Sequence, residues 1–231
     1  MKKNMLVIAP VMPQRSEIEL FASTLAFLEP YYNIDFLDPL LMIDICLENK
    51  AYYSAWQHYL TRVLNQYHAF MGFSFGGVIL QQCFPLFEHQ PHSIILFSTP
   101  TCADAVLKQK LRNVIGLCEN NQVEQALDVL YKHVYSPNQQ PAGFLDGLNQ
   151  SEAAERLVTG LKRVLNTDSS HLVETTMVNH LHLIGEYSDL VNAQNVLAPK
   201  AGQLISVPSA GMRVLQDNLL FCKQILMDEL L

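Results

Sequence analysis

The sequence predicts an α/β fold in which helices cover both faces of a mostly parallel sheet. Short runs of apolar residues alternate with segments of helical spacing, and one run ends in a Gly-x-Ser-x-Gly turn that leads directly into a helix. A long all-helical stretch then separates the fourth apolar run from the last two. Strands that are apolar along their whole length are buried on both faces, which is typical of parallel sheets between two helix layers.

Size and composition indicate one folded domain with an insertion. The chain has 231 residues, of which 49% are hydrophobic and 16% charged, so it can bury a substantial core but leaves little room for two independent domains. No internal repeat, low-complexity tract or linker divides the sequence. We therefore expect one core with one insert.

Six apolar runs are the predicted strands. They comprise residues 5–9, 34–37, 68–73, 93–97, 181–184 and 203–207. Periodic apolar residues predict helices over about 16–28, 52–65, 76–84 and 214–229. The stretch between the fourth and fifth strands is helical throughout. We therefore predict that residues 1–102 and 176–231 form the α/β core and that residues 103–175 form an inserted helical cap.

Charge and cysteine content exclude several classes of protein. The 15 Lys and Arg against 22 Asp and Glu give a net charge of −7, which would repel nucleic acid and anionic lipid. The five cysteines have no metal-ligand spacing, and the sequence contains no GxGxxG or Walker loop. The first apolar run is too short for a signal peptide, and no segment could span a bilayer. We expect a cytoplasmic protein with no metal, cofactor, nucleic-acid partner or membrane partner.

The turn after the third strand carries the strongest signal for chemistry. It reads Gly72-Phe73-Ser74-Phe75-Gly76 and is followed at once by a helical pattern. Such a turn strains the serine backbone, and its glycines let strand and helix approach each other. The serine hydroxyl then projects from the sheet edge, and the Phe75 amide at the helix N-terminus would donate to an oxyanion. The alternative is that Ser74 only begins a tight turn.

Together with this turn, two later segments make the sequence resemble the α/β-hydrolase superfamily over nearly its whole length. Segment 183–191, which contains Ser188-Asp189, is similar to the strand end that carries the family's acid, and segment 207–218 is similar to the one that carries its histidine. The resemblance implies that Ser74 is a nucleophile and Asp189 the acid. Asp189 could instead cap a following helix.

The sequence departs from the family pattern at the expected base. Where the family has a histidine after glycine, this chain has Met212 after Gly211. A thioether cannot accept a proton from a serine hydroxyl, so the usual Ser-His-Asp relay cannot operate. Among the eight histidines, His133 and His171 lie in or beside the predicted cap, from which one could reach over Ser74. A surface or buried structural role is the alternative for each histidine.

The second half of the predicted oxyanion hole also departs from the family. Many relatives donate an amide from the loop after the first strand, which here reads Pro10-Val11-Met12-Pro13. Proline has no amide hydrogen, so Val11 or Met12 would have to donate.

Two functional hypotheses follow from these residues. The first is a serine esterase or thioesterase with Ser74 as nucleophile and Asp189 as acid. The apolar cap, with Phe73 and Met212 in a substrate pocket, predicts a small or acyl ester, of which a carrier-bound ester is a narrower form. Phe73 and Phe75 could equally be packing residues. The second hypothesis, which Met212 favours, is a non-catalytic protein of this fold that binds a ligand or a protein partner.

Overall fold

The computed structural model, which describes residues 2–42, 44, 46–143 and 146–231, contains one six-stranded sheet. All six predicted strands are present. They are β1 (Lys3–Ile8), β2 (Tyr32–Leu37), β3 (Ala69–Phe73), β4 (Ser93–Phe97), β5 (Asn179–Gly185) and β6 (Ala201–Val207). Every pair of neighbouring strands is parallel. The predicted fold class, a parallel sheet covered by helices, is confirmed.

The strand order is β2-β1-β3-β4-β5-β6. The chain runs from β1 to one edge of the sheet and then returns to the other side of β1 to form β3. The loops after β1 and β3 therefore leave the sheet in opposite directions, and a crevice opens between their carboxyl ends. Gly72 near the end of β3 pairs with Ile8 of β1 and with Leu96 of β4. Ser74 consequently follows a central strand at this crevice.

Ten α-helices surround the sheet within the described residues. They are α1 (Glu17–Ala22), α2 (Pro39–Met42), α3 (Asn49–Val63), α4 (Phe75–Gln82), α5 (Ala105–Glu119), α6 (Val123–Tyr135), α7 (Gln150–Leu165), α8 (Ser170–Thr175), α9 (Val214–Asp217) and α10 (Leu219–Leu230). Helices α5 to α8 occupy the segment between β4 and β5. In the described part of the chain, no helix combines the length and the apolar character needed to cross a bilayer.

Two helices differ from their predicted form. The segment predicted as one helix over 16–28 is α1 followed by a 3₁₀ helix, Ser23–Leu28. The segment predicted as one helix over 214–229 is interrupted at Asn218, which separates α9 from α10. The Asn218 side chain accepts a hydrogen bond from the Phe221 amide at 3.3 Å. Asparagine is a strongly preferred N-cap, so it begins a new helix here instead of continuing the old one.

Each face of the sheet has its own buried cluster. Leu6 and Ile8 of β1 pack on one face with α3, α4 and helices α5 to α7. Met5 and Val7 pack on the other face with the 3₁₀ helix and with α9 and α10. This alternation is the two-residue period of a strand. Helices α5 to α7 therefore share one core with the sheet.

Candidate active site at the end of strand β3

Ser74 has a strained backbone in the turn between β3 and α4. Its φ of 49° and ψ of −111° lie in a region that costs a residue with a side chain about 1–3 kcal/mol. Its amide donates to the Phe97 carbonyl at 2.9 Å, and its carbonyl accepts from the Val78 amide at 3.1 Å. Among the described residues, the Ser74 hydroxyl has no hydrogen-bond partner. The hydroxyl is therefore available to a ligand.

Close packing explains the glycines around Ser74. A Cβ on Gly76 would lie 2.1 Å from the carbonyl oxygen of Ile8, and one on Gly72 would lie 2.5 Å from Cα of Gly77. Both distances are far below van der Waals contact. Helix α4 can lie against β1 and β3 only because these residues have no side chain. The turn thus has the strand–turn–helix geometry that its sequence indicates.

The Phe75 amide and the loop after β1 are the predicted oxyanion donors. Phe75 is the first residue of α4, and among the described residues its amide and those of Val11 and Met12 have no backbone acceptor. The Phe75 ring is buried and stacks on Tyr52, with centroids 6.2 Å apart. Packing is therefore the role of this side chain, while its amide stays a predicted donor.

A buried ion pair fixes the loop after β1. The carbonyl of Met12 accepts a hydrogen bond from Nε of Arg156 on α7 at 2.7 Å. The same guanidinium pairs with the carboxylate of Asp38 at 2.9 Å, and both side chains are almost completely buried. Removing one member of such a pair would leave an uncompensated buried charge, so the pair is costly to break. Val11 and Met12 are thereby held at the cavity described next.

A cavity of about 600 Å³ opens at Ser74. Its walls come from the loops after β1 and β5, helix α1 and the 3₁₀ helix, the ends of β3 and β4, helices α5, α6 and α7, and the segment that begins at Met212. Phe73 and Met212, the predicted pocket residues, both line it, and most of the remaining lining is apolar. Among the described residues, no histidine lines the cavity. Its volume is typical of small-molecule sites.

Met212 is fixed in segment 207–218, where the sequence resemblance predicts a histidine. The Met212 carbonyl accepts a hydrogen bond from Oγ of Ser98 at 2.7 Å, and its sulfur lies 3.9 Å from Oγ of Ser188. The preceding Gly211 amide donates to the carboxylate of Asp217 at 2.9 Å. Met212 and Ser74 both line the cavity, and the thioether of Met212 cannot accept a proton from the Ser74 hydroxyl.

Asp189 joins the loop after β5 to two helices of the insert. Its Oδ1 accepts from Nζ of Lys110 on α5 at 2.6 Å, and its Oδ2 contacts Nδ1 of His133 on α6. Partial burial acts to raise the pKa of Asp189, but the hydrogen bonds and charges of Lys110 and His133 outweigh it and hold the pKa below its usual value. No helix follows Asp189 in the described residues before β6, so the alternative that it caps a helix is wrong.

The two histidines of the insert have different surroundings. His133 contacts Asp189 from α6, while Leu130 and Val134 of the same helix line the cavity. His171 is exposed on α8. Of the two, only His133 lies beside a residue of the predicted site.

His182 is buried in β5 and is not a candidate base. Burial, reinforced by the neighbouring His180, lowers the pKa of His182 to about 3, so the ring is neutral. Its Nε2 accepts a hydrogen bond from the Thr99 amide at 3.3 Å. The ring is therefore buried against the chain that follows β4.

Two charged residues of the cavity were not selected from the sequence. Glu17 of α1 and Arg213 both line it. The Arg213 guanidinium lies over the ring of Tyr135, 4.1 Å from its centroid. Glu17 precedes Phe21, another lining residue, by four positions, and residues four apart share a helix face. That spacing could have placed Glu17 at the cavity. Among the described residues, no group of three His, Cys, Asp or Glu could hold a metal ion.

Asp189→Asn is expected to lower the free energy of unfolding by about 1 kcal/mol at pH 7, because the carboxylate is 42% exposed and solvent screens its ion pairs. The pKa of Asp189 is depressed in the folded chain. Its contribution is therefore complete above the unfolded-state pKa and is lost as the pH falls through the folded-state pKa. Urea unfolding at pH 7 and pH 3 measures it.

The matched control is Asp228→Asn on α10, where the exposed carboxylate accepts hydrogen bonds from Gln224 at 3.0 Å. This control should change stability by less than about 0.5 kcal/mol at either pH. The difference between the natural chain and Asp189→Asn should shrink at pH 3. A difference that grows in acid would contradict the assigned ion pairs.

Solved structures of hydrolases share the fold of this chain. An α/β hydrolase from a Medee basin deep-sea metagenome library superposes with a TM-score of 0.73 at 11% identity, over 99% of this chain and 89% of that one. MenH from S. aureus gives 0.71 at 13% identity, over 100% and 94%. An esterase from Exiguobacterium antarcticum gives 0.71 at 10% identity, over 98% and 91%. No protein-family model and no curated protein matches the sequence. At identities this low, the structural similarity establishes a shared fold only. The reaction has to be inferred from the residues of the site.

Proposed function

We propose that this chain, which has the α/β-hydrolase fold, holds an apolar acyl or ester ligand in the cavity at Ser74 without turning it over rapidly. The observation that carries the proposal is the lining, which within the described residues includes Ser74 and Met212 and no histidine. A ligand carbonyl beside Ser74 would therefore meet a serine hydroxyl that no neighbouring base activates.

Turnover of an ester by Ser74 requires a group that both accepts and returns a proton. As Oγ bonds to the carbonyl carbon, the hydroxyl proton must leave; as the ester C–O bond breaks, the leaving alkoxide must gain a proton. Histidine performs both transfers in serine hydrolases, and its loss costs on the order of 10⁶ in kcat. Binding and oxyanion contacts alone retain roughly 10³–10⁴ over the uncatalysed rate. The retained amide donors would thus serve to orient the ligand.

A second candidate is a serine esterase or thioesterase with Ser74 as nucleophile, Asp189 as acid and His133 as base. The contact between Nδ1 of His133 and Oδ2 of Asp189 favours it, because a triad acid orients its histidine in this way. For proton transfer, Nε2 of His133 would have to reach Ser74. Leu130 and Val134 of the same helix line the cavity and His133 does not, so this route requires His133 to move toward Ser74.

Labelling by a fluorophosphonate probe tests the first proposal against the second. We expect the natural chain to react at a rate within about tenfold of Ser74→Ala and to hydrolyse p-nitrophenyl butyrate no more than about 10³–10⁴-fold faster than buffer. Decanol should nevertheless bind, with a negative heat-capacity change in calorimetry, because it buries apolar surface.

Rapid labelling that both Ser74→Ala and His133→Ala abolish would establish the second candidate in place of the first. Rapid labelling that Ser74→Ala abolishes and His133→Ala leaves unchanged would contradict both, because neither route supplies another base. Absence of decanol binding would contradict the cavity as a ligand site.

A further inference from the structure

Arg213 brings a guanidinium group without an anionic partner to the cavity of Ser74. Arg213 and Tyr135 both line the cavity and are partly exposed. Among the described residues, the Arg213 side chain forms no ion pair and no hydrogen bond. Its guanidinium lies over the Tyr135 ring, 4.1 Å from the centroid. Such a contact uses a face of the guanidinium and leaves the N–H groups at its edge available to an acceptor on a ligand.

The acid nearest to Arg213 in the sequence is engaged by other groups. Asp217 follows Arg213 by four positions. One of its carboxylate oxygens accepts a hydrogen bond from the Gly211 amide at 2.9 Å, and the other accepts one from Nδ2 of Asn138 at 2.9 Å. The segment that contains Arg213 therefore supplies no counter-charge for the guanidinium.

Glu17, the other charged residue of the described cavity lining, does not compensate Arg213 either. The charges that act on the pKa of Glu17 are those of Arg156 and Glu152. Its Oε2 has almost no accessible surface, so a ligand in the cavity cannot reach that oxygen. Burial is the largest effect on Glu17 and raises its pKa, which disfavours the charged form. Arg213, which stays protonated at physiological pH, is therefore the accessible charge of the cavity.

The segment that carries Arg213 is fixed against the end of α6. A Cβ on Gly211 would lie 1.8 Å from the carbonyl oxygen of Ser136, so the close approach requires glycine. The Arg213 carbonyl accepts hydrogen bonds from the amides of Gln216 and Asp217, both at 2.9 Å. These contacts hold Arg213 in place before a ligand arrives, which reduces the conformational entropy lost on binding.

We propose that Arg213 is the specificity residue of this cavity and selects a ligand with an apolar body and a carboxylate head. The inference rests on the proposed function, since it assumes that the cavity binds a ligand. A carboxylate is planar and can accept two parallel N–H bonds from the edge of the guanidinium, and it supplies the missing counter-charge. The apolar walls would receive the alkyl or acyl body.

The net charge of −7 opposes the approach of an anion, but this repulsion acts at long range. At physiological ionic strength, salt screens exposed charges that lie more than about 8 Å apart, and it screens a partly buried contact much less. The local contact with Arg213 therefore decides which head group the cavity prefers.

Other head groups satisfy Arg213 less well. An ammonium head would place a second positive charge against the guanidinium, which is unfavourable in a site with little water. A hydroxyl head would accept one hydrogen bond but leave the charge uncompensated. The order of affinity for ligands with the same alkyl chain is therefore carboxylate, then alcohol, then ammonium.

Calorimetric titration of decanoate, decanol and decylamine at pH 7 into the folded chain tests this order. The natural chain should bind decanoate at least about tenfold more tightly than decanol, because hydrogen bonds between charged groups are the stronger ones, and decylammonium most weakly. Arg213→Gln removes the charge and keeps a polar side chain. It should weaken decanoate binding at least about tenfold and leave decanol within about threefold, which also shows that the cavity persists in the variant.

Arg62→Gln is the matched control, because it removes the same charge from an exposed residue of α3, a helix with no described residue in the cavity lining. It should leave both affinities within about threefold. Equal weakening of decanoate by the two variants would mean that a general field, and not a contact, attracts the anion, and would overturn the assignment of Arg213.

The natural chain alone separates the remaining outcomes. Tightest binding of decylamine would overturn the assignment, because it would mean that Glu17 governs the choice of head group. Equal affinity for decanoate and decanol would overturn the assignment of Arg213 and leave the cavity proposal intact. If none of the three probes binds, both proposals fail.

Discussion

Met212→His is expected to raise the rate at which a fluorophosphonate labels Ser74 by a factor of about 100 or more. The imidazole would stand in the segment that Ser98 and Asp217 hold at the cavity, where the natural side chain is a thioether. A positioned general base typically contributes 10²–10⁴ to such a step. The measurement is the second-order labelling rate, read on a gel or by mass spectrometry of the intact protein.

Met212→Leu is the control, because it changes the side chain without adding a base, and it should label as slowly as the natural chain. Addition of Ser74→Ala to Met212→His should remove the gain completely. A gain that survives Ser74→Ala would mean that the probe reacts elsewhere. Equal rates for Met212→His and Met212→Leu would mean that residue 212 does not reach Ser74.

The ion pairs of Asp189 limit the increase in labelling rate that Met212→His can produce. Both carboxylate oxygens are engaged, one by Lys110 and one by His133. A histidine at position 212 would therefore compete with His133 for its orienting acid. Combining Met212→His with His133→Ala should add roughly another tenfold, since a triad without its acid loses up to about 10⁴.

Gly76→Ala is expected to destabilise the fold by about 3 kcal/mol, the largest stability effect that we predict. The new methyl group would lie 2.1 Å from the carbonyl oxygen and 2.6 Å from the carbonyl carbon of Ile8. These atoms belong to the backbone of a buried central strand, so they cannot yield as a flexible side chain would. Thermal unfolding should show a Tm lower by about 6–12 °C in a chain of this size.

Gly116→Ala in α5 is the matched control. A Cβ at Gly116 would have no heavy atom within 4 Å, and alanine favours a helix over glycine by up to about 1 kcal/mol. This variant should be as stable as the natural chain or more so. If Gly76→Ala unfolded at the same temperature as Gly116→Ala, the close approach of α4 to β1 would be wrong.

The strands and the turn at Ser74 could be predicted because their signals are local. An apolar run indicates a buried strand from its own residues alone. The glycines beside Ser74 indicate that the strand and the following helix pack closely, whichever other element lies against them. The interruption at Asn218 was missed although its signal is also local. The apolar period continues across Asn218 and predicts one helix, although asparagine also tends to begin a new helix.

The contacts of the site could not be predicted in the same way. Lys110 and His133 meet Asp189 from 79 and 56 positions away in the sequence, and only the packing of the insert brings them together. The apolar lining of the cavity likewise depends on three helices of that insert. The sequence places Met212 at the position of the missing base, but it could not show that, among the described residues, no histidine lines the cavity.

The ion pair between Arg156 and Asp38 has a consequence for how the molecule unfolds. It joins α7 to the chain after β2 and, through the Met12 carbonyl, to the loop after β1. Helices α5 to α7 also share a buried cluster with the sheet. Segments connected in this way open together, so the insert and the sheet should behave as one cooperative unit in hydrogen exchange. Occupation of the cavity would then protect amides throughout the molecule, including those of strands that no ligand touches.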